Sequence, residues 1–127
     1  MEKLLNYIMT IQNAIKSVNK EYCYVYDRPD TAYTSDKLFL LSEAELFGVK
    51  TKAAALEGTQ YEYWANNNDK TARIKYKGEG GTGAYDWWLR SPVAYDSFCC
   101  VSTSGSSDSA NSKYDKTTTG VSFAFDL

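Results

Sequence analysis

The chain has 127 residues, 43% of them hydrophobic, a net charge of −2 and a pI near 5.1. That length fits a single domain over residues 1–127 that can bury a core without staples. The acidic balance speaks against a nucleic-acid partner, and no apolar run reaches the ~20 residues that membrane insertion needs.

Near the N-terminus, Met1-Glu2-Lys3 leads into spaced apolar residues, not the continuous block of a secretory leader. The chain is therefore expected in the cytoplasm, in a virion or cell-surface assembly, or with a leader already removed. Leu4, Ile8, Ile11, Ile15 and Val18 recur at spacings of four and three, which predicts an N-terminal amphipathic helix. A coiled-coil seam would share this spacing, but the run is short, and packing onto the domain's own sheet is the preferred expectation.

Tyr22, Tyr24 and Tyr26 alternate and predict a short strand, ended by the turn residues Arg28-Pro29-Asp30. Lys37–Leu41 is an apolar run of strand length. Ser42 with Glu45 three residues later is a capping box, and Gly48 suits a left-handed stop, so a second, short helix is expected between them. The aromatic run Tyr61-Glu62-Tyr63-Trp64 reads as helix, and Asn66–Asp69 as a turn.

Arg73–Tyr76 reads as a strand, and Gly78–Gly83 as a loop without the spacing of a phosphate-binding motif. Asp86–Ser91 is a strand closed by Pro92. Phe98–Thr103 is another, ended by Gly105. Ser106–Thr119 reads as a long surface loop, a kind of segment that is usually functional or disordered. Gly120–Leu127 is a last strand, with Val121, Phe123 and Phe125 on one face. The fold class is α+β: helices first, then a small antiparallel sheet with long loops.

The chain has no histidine, so the commonest general base and metal ligand are missing. Cys23, Cys99 and Cys100 are an odd set. The last two are adjacent and point to opposite faces of a strand, so reduced thiols are expected and spaced-cysteine metal sites are not. No cofactor and no catalytic residue is read from the sequence. Arg90, between Trp88 and Ser91-Pro92, needs an indole or a carboxylate such as Glu45 or Asp86 as a partner.

Leu38–Gly48, Glu57-Gly58 with Tyr61–Trp64, Trp87-Trp88-Leu89-Arg90-Ser91-Pro92, Cys100-Val101 before Gly105, and Gly120-Val121 resemble the DUF6273 family of bacterial and phage proteins. That family is similar to the C-type-lectin-fold variable proteins of diversity-generating retroelements, and distantly to the formylglycine-generating enzyme fold. The resemblance implies a C-type lectin-like fold that displays a variable face to an unknown protein or surface ligand. The closing motif departs from the family's Gly-Val-Arg-Pro-Ala, reading Gly120-Val121-Ser122-Phe123-Ala124, and no sugar-binding or copper-oxidase motif is present.

The binding face is expected after the Trp-Trp-Leu-Arg-Ser-Pro block. It comprises Tyr95, Asp96, Ser97, Phe98, Ser102, Ser104, Ser106, Ser107, Asp108, Asn111 and Tyr114, on a platform of Trp87, Trp88, Leu89 and Arg90. Aromatic residues would anchor a ligand, and Ser, Asp and Asn would supply adaptable hydrogen bonds. Retroelement mutagenesis of AAC codons reaches many residue types but not Lys, Glu, Gln, Met or Trp. Those five make up 25 of the 127 residues, yet none occurs in the twenty from Val93 to Ser112. Independent sampling gives such a gap roughly one time in a hundred. Two alternatives stand beside this expectation: a purely structural domain of a phage particle or surface protein, and an oxidase related to the formylglycine-generating fold.

Overall fold

The computed structural model describes residues 1–28, 30–77, 83–111 and 119–127, with Asn111 described for its backbone alone. Among the described residues the chain is a mixed α/β fold with three α-helices and small, mainly antiparallel sheets. Helix α1 spans Glu2–Ala14. Strands β1 (Val18–Val25) and β2 (Asp30–Asp36) form an antiparallel hairpin. The tyrosine alternation thus marks part of a longer strand, and β2 follows the turn.

Helix α2 (Glu43–Phe47) has the capping box its sequence encodes. The Ser42 hydroxyl accepts from the Glu45 amide at 3.0 Å, and the Glu45 carboxylate accepts from the Ser42 amide at 3.1 Å. Gly48 closes the helix at φ 77°, a left-handed conformation that glycine adopts without a Cβ penalty. Helix α3 (Glu62–Asn66) is short, and a 3₁₀ turn at Lys70–Arg73 follows.

The second sheet runs β3 (Lys75–Tyr76), β4 (Ala84–Ala94), β5 (Ser97–Val101), β6 (Ser107–Asn111). β7 (Thr119–Gly120) lies parallel to β4. One face of β4 and β5 carries Trp87, Leu89, Cys99 and Val101. These pack with Phe39, Leu41, Leu46 and Ala53 into the core. Trp87 is buried there with its indole N–H donated to the Arg73 carbonyl at 2.9 Å, which satisfies its one polar atom.

Five expectations need correction. α1 does not pack on the sheet; it ends at Ala14 and none of its residues is buried, while Val18 reaches the core from β1. Lys37–Leu41 is not a strand: the chain bends at Lys37 and Leu38, Phe39 exchanges hydrogen bonds with Ala124 in an isolated bridge, and the Leu41 carbonyl accepts from the Arg90 amide. Pro92 does not close β4. It pairs with Phe98 across register shifts on both sides, where its missing N–H costs no ladder bond, and its carbonyl accepts from the Ala54 amide. Residues 107–111 are not loop but the strand β6, paired with β5 over five positions.

The last segment is also shorter as a strand than expected. Only Thr119–Gly120 is a regular strand, and isolated bridges hold Ala124 and Asp126. Val121, Phe123 and Phe125 do share one face, but that face is exposed. All three cysteines are buried thiols.

Candidate binding face

Arg90 sits beneath the sheet's outer face, and all five of its N–H donors are spent. Nη1 donates to Glu45 Oε2 at 2.6 Å and to the Leu40 carbonyl at 2.9 Å. Nη2 donates to Glu45 Oε1 at 2.9 Å and to the Glu21 carbonyl at 2.7 Å, which also accepts from Nε at 3.0 Å. The planar guanidinium thereby ties together β4, α2, β1 and the segment before α2, a geometry that an ammonium cannot reproduce.

Glu45 takes a second cation. Lys20 Nζ lies 3.0 Å from its Oε1, donates to the Tyr61 hydroxyl and stands 3.9 Å over the Phe39 ring. Burial by itself would raise the Glu45 pKa; the Arg90 hydrogen bonds and charge, with help from the Ser42 amide and Lys20, outweigh it and hold it below the ordinary value. Glu57 is the opposite case. It is fully buried, its Oε2 accepts from the Cys23 amide, and its Oε1 has no hydrogen-bond partner. Burial pushes its carboxyl up by more than the nearby Ser91 hydroxyl, the Cys23 amide and the Arg90 charge pull it down.

Glu43 is a third buried carboxylate. It accepts from the backbone amides of Thr51, Lys52 and Ala53 at 2.8–3.1 Å and from the Ser107 hydroxyl at 2.5 Å. It therefore fastens both the coil after α2 and the start of β6 to the core.

Above this frame, Trp88, Phe98, Leu40, Leu89 and Arg90 line an apolar depression of about 360 Å³. Phe98 is shared with a second depression of about 200 Å³, whose other walls include Tyr24, Tyr26, Pro92 and Tyr95. Tyr26 and Tyr95 meet edge to face, with ring centroids 6.2 Å apart. Tyr95 is 82% exposed at the β4–β5 turn, and Tyr24 and Tyr26 are 59% and 47% exposed at the end of β1. The result is a continuous aromatic surface around a tight hairpin turn.

The structure brings together only some of the residues expected at a binding face. Tyr95, Asp96, Ser97 and Phe98 form the hairpin turn, where the Ser97 hydroxyl reaches Asp96 Oδ1 at 3.2 Å. Ser102, Ser104 and Ser106 lie at the far end of β5, a strand length of roughly 17 Å away. Their hydroxyls contact one another at 3.0 and 3.4 Å, and the turn they build rests Gly105 against the Lys70 carbonyl. Ser107 is turned inward to Glu43. Asp108 is exposed on the edge strand β6, its Oδ1 accepting from the Ser109 amide. Asn111 pairs through its backbone with Ser97, and Tyr114 lies outside the described residues.

Among the platform residues, Trp87 faces the core, Leu89 is buried in the core and borders the outer depression, and Trp88 and Arg90 line that depression. Sequence reading missed Tyr24, Tyr26 and Leu40. The tyrosine-rich composition was the available signal, but alternation on a strand does not say which face is covered.

The family model described as "Domain of unknown function (DUF6273)" matches residues 2–127. No match was found among curated proteins or among solved structures. With nearly its whole length matched, the chain belongs to the DUF6273 family.

Proposed function

We propose that this chain is a non-catalytic ligand-display domain of phage or bacterial origin with a C-type lectin-like fold, whose binding face is centred on the β4–β5 turn. The observation that carries this reading is the continuous aromatic surface of Trp88, Phe98, Tyr95, Tyr26 and Tyr24 with its two depressions. Exposed tyrosines give rigid contact area at low entropic cost, and clustered aromatic anchors are the usual energetic centres of protein recognition. Asp96, Ser97 and, further along β6, Asp108 supply adaptable polar contacts at its edge.

Retroelement diversification of this face is supported by the run from Val93 to Ser112 without Lys, Glu, Gln, Met or Trp. A catalytic cysteine finds no support in Cys99. Burial first, and then the nearby Glu43 carboxylate, push its thiol far above the ordinary value, away from the thiolate that copper or a nucleophilic role would need.

Two measurements test the proposal. A library randomised at Tyr24, Tyr26, Tyr95, Asp96 and Ser97 and displayed on yeast should keep most members folded and yield binders to an immobilised protein such as lysozyme. Loss of folding in most members would mean that the surface is structural. At the gene, a neighbouring reverse transcriptase and a template repeat differing at adenines across the codons for 93–112 would be found if the face is diversified. A neighbourhood without them would remove that part of the proposal.

A further inference from the structure

Two apolar surfaces of this chain are left uncovered, and they match. On α1, Leu4, Leu5, Ile8, Met9 and Ile11 are 37–61% exposed, and the helix makes no substantial contact with any strand or other helix. A 13-residue helix without tertiary packing is marginal in water, so its apolar stripe needs a cover. At the other end of the chain, Val121, Phe123, Phe125 and Leu127 form a ladder, each 46–68% exposed. This ladder borders a cleft of about 280 Å³ walled by Tyr61, Tyr63, Trp64 and Trp87.

The two surfaces are of equal reach. Thirteen helical residues span about 20 Å, and the seven residues from Val121 to Leu127 span about 23 Å. They do not meet within one copy: no residue of α1 is buried. Lys16 donates to the Asp126 carbonyl at 2.9 Å in an antiparallel bridge, so the chain before Lys16 leaves past Leu127 and away from Val121–Phe125. α1 emerges at the edge of the ladder and projects from the body.

We infer that this face is a homodimer interface, in which α1 of each copy lies along the Val121–Leu127 ladder and aromatic cleft of the other. The exchange is reciprocal, as a two-fold axis requires. The nine large apolar side chains per copy, each about half exposed, supply an area on the order of the ~800 Å² per partner that a stable interface needs. A helix pair alone would not suffice: Leu4, Ile8 and Ile11 make less than two heptads. A lipid surface is a poorer occupant, because Lys3 is the only cation on α1 and an interfacial helix relies on a basic polar face.

The test is the mass of the full chain in solution across a concentration series, by sedimentation or light scattering, with circular dichroism at 222 nm. The unaltered chain should be a dimer at tens of micromolar. Phe123→Ser with Phe125→Ser should make it monomeric and also remove the α1 helical signal, although α1 itself is untouched and near-ultraviolet spectra of the core persist. Mixing an Ile8→Cys chain with a Phe123→Cys chain and oxidising should give a covalent heterodimer. A monomeric unaltered chain, a ladder variant that stays dimeric through α1 alone, or α1 helicity gained only on anionic vesicles would each overturn the inference.

Discussion

Arg90 and Glu45 face each other across the junction of β4 and α2 as a two-pronged ion pair, at 2.6 and 2.9 Å, with both side chains mostly buried. The pair joins two elements that also meet through Leu46 and Leu89 in the core and through the Glu43 amide, which donates to the Ser91 hydroxyl at 3.0 Å. Arg90→Lys keeps the charge but loses the fork, leaving the Leu40 and Glu21 carbonyls without donors. Arg90→Lys should therefore be destabilising, but less so than Arg90→Met, which removes one side of the buried pair at about 3–5 kcal/mol. The expected result is a urea midpoint lowered accordingly, while Arg90→Met with Glu45→Met together should cost less than the sum of the two single changes.

Acid stability should depend on Glu45. Its folded-state pKa is lowered, so its stabilisation is present above the unfolded value near 4.5 and is lost as pH falls through the folded value. Glu45→Gln should be less stable than the unaltered chain at pH 7, and its melting temperature should fall less between pH 5 and pH 3.

Glu57 has the opposite sign. Its raised folded-state pKa favours the protonated form, so its contribution is complete below 4.5 and lost as pH rises through the raised value. Glu57→Gln is neutral at every pH and can still accept from the Cys23 amide. It should melt above the unaltered chain at pH 8, with the gap closing at pH 4.

Gly105 sits at φ +80°, and a Cβ added there would come within 2.0 Å of the Lys70 carbonyl oxygen. Backbone cannot yield as a flexible side chain would. Gly105→Ala should cost about 3 kcal/mol, read as a lowered denaturation midpoint, whereas Gly83→Ala, with open space around it, should be neutral.

Native thiol reactivity should be very low. Cys23, Cys99 and Cys100 are all buried, and burial with the Glu43 charge holds Cys99 in the thiol form. A thiol reagent such as DTNB should label three groups in guanidinium and almost none in the folded chain at pH 8. Rapid labelling of Cys99 while folded would contradict the packing around it.

What could be read from the sequence was local. Ser42, Glu45 and Gly48 announce α2 because cap and stop chemistry act within one turn. Arg90 announced a need for a partner because a guanidinium inside an aromatic strand has few ways to be satisfied, and Glu45 was one of two carboxylates named. β6 was illegible because Ser107–Asn111 has no strand propensity of its own; it is a strand because β5 offers an open edge and Glu43 holds Ser107. Pro92 looked like a terminator because a register shift depends on the partner strand. The exposure of α1 and of Val121–Phe125 was hidden for a related reason, since periodicity identifies an apolar face but not what covers it.

The hydrogen bond from Ser107 to Glu43 bears on heredity as well as on folding. Any process that rewrites codons 93–112 indiscriminately also rewrites Ser107, and with it the Gly105 turn and the inward residues Cys99 and Val101. Most rewritten genes would then be lost to misfolding before they met a ligand. Sequences that survive should therefore carry a comb: free variation at 95–97, a small hydroxyl at 107, and glycine at 105. Reading that comb across natural variants would separate selection for folding from selection for recognition, position by position.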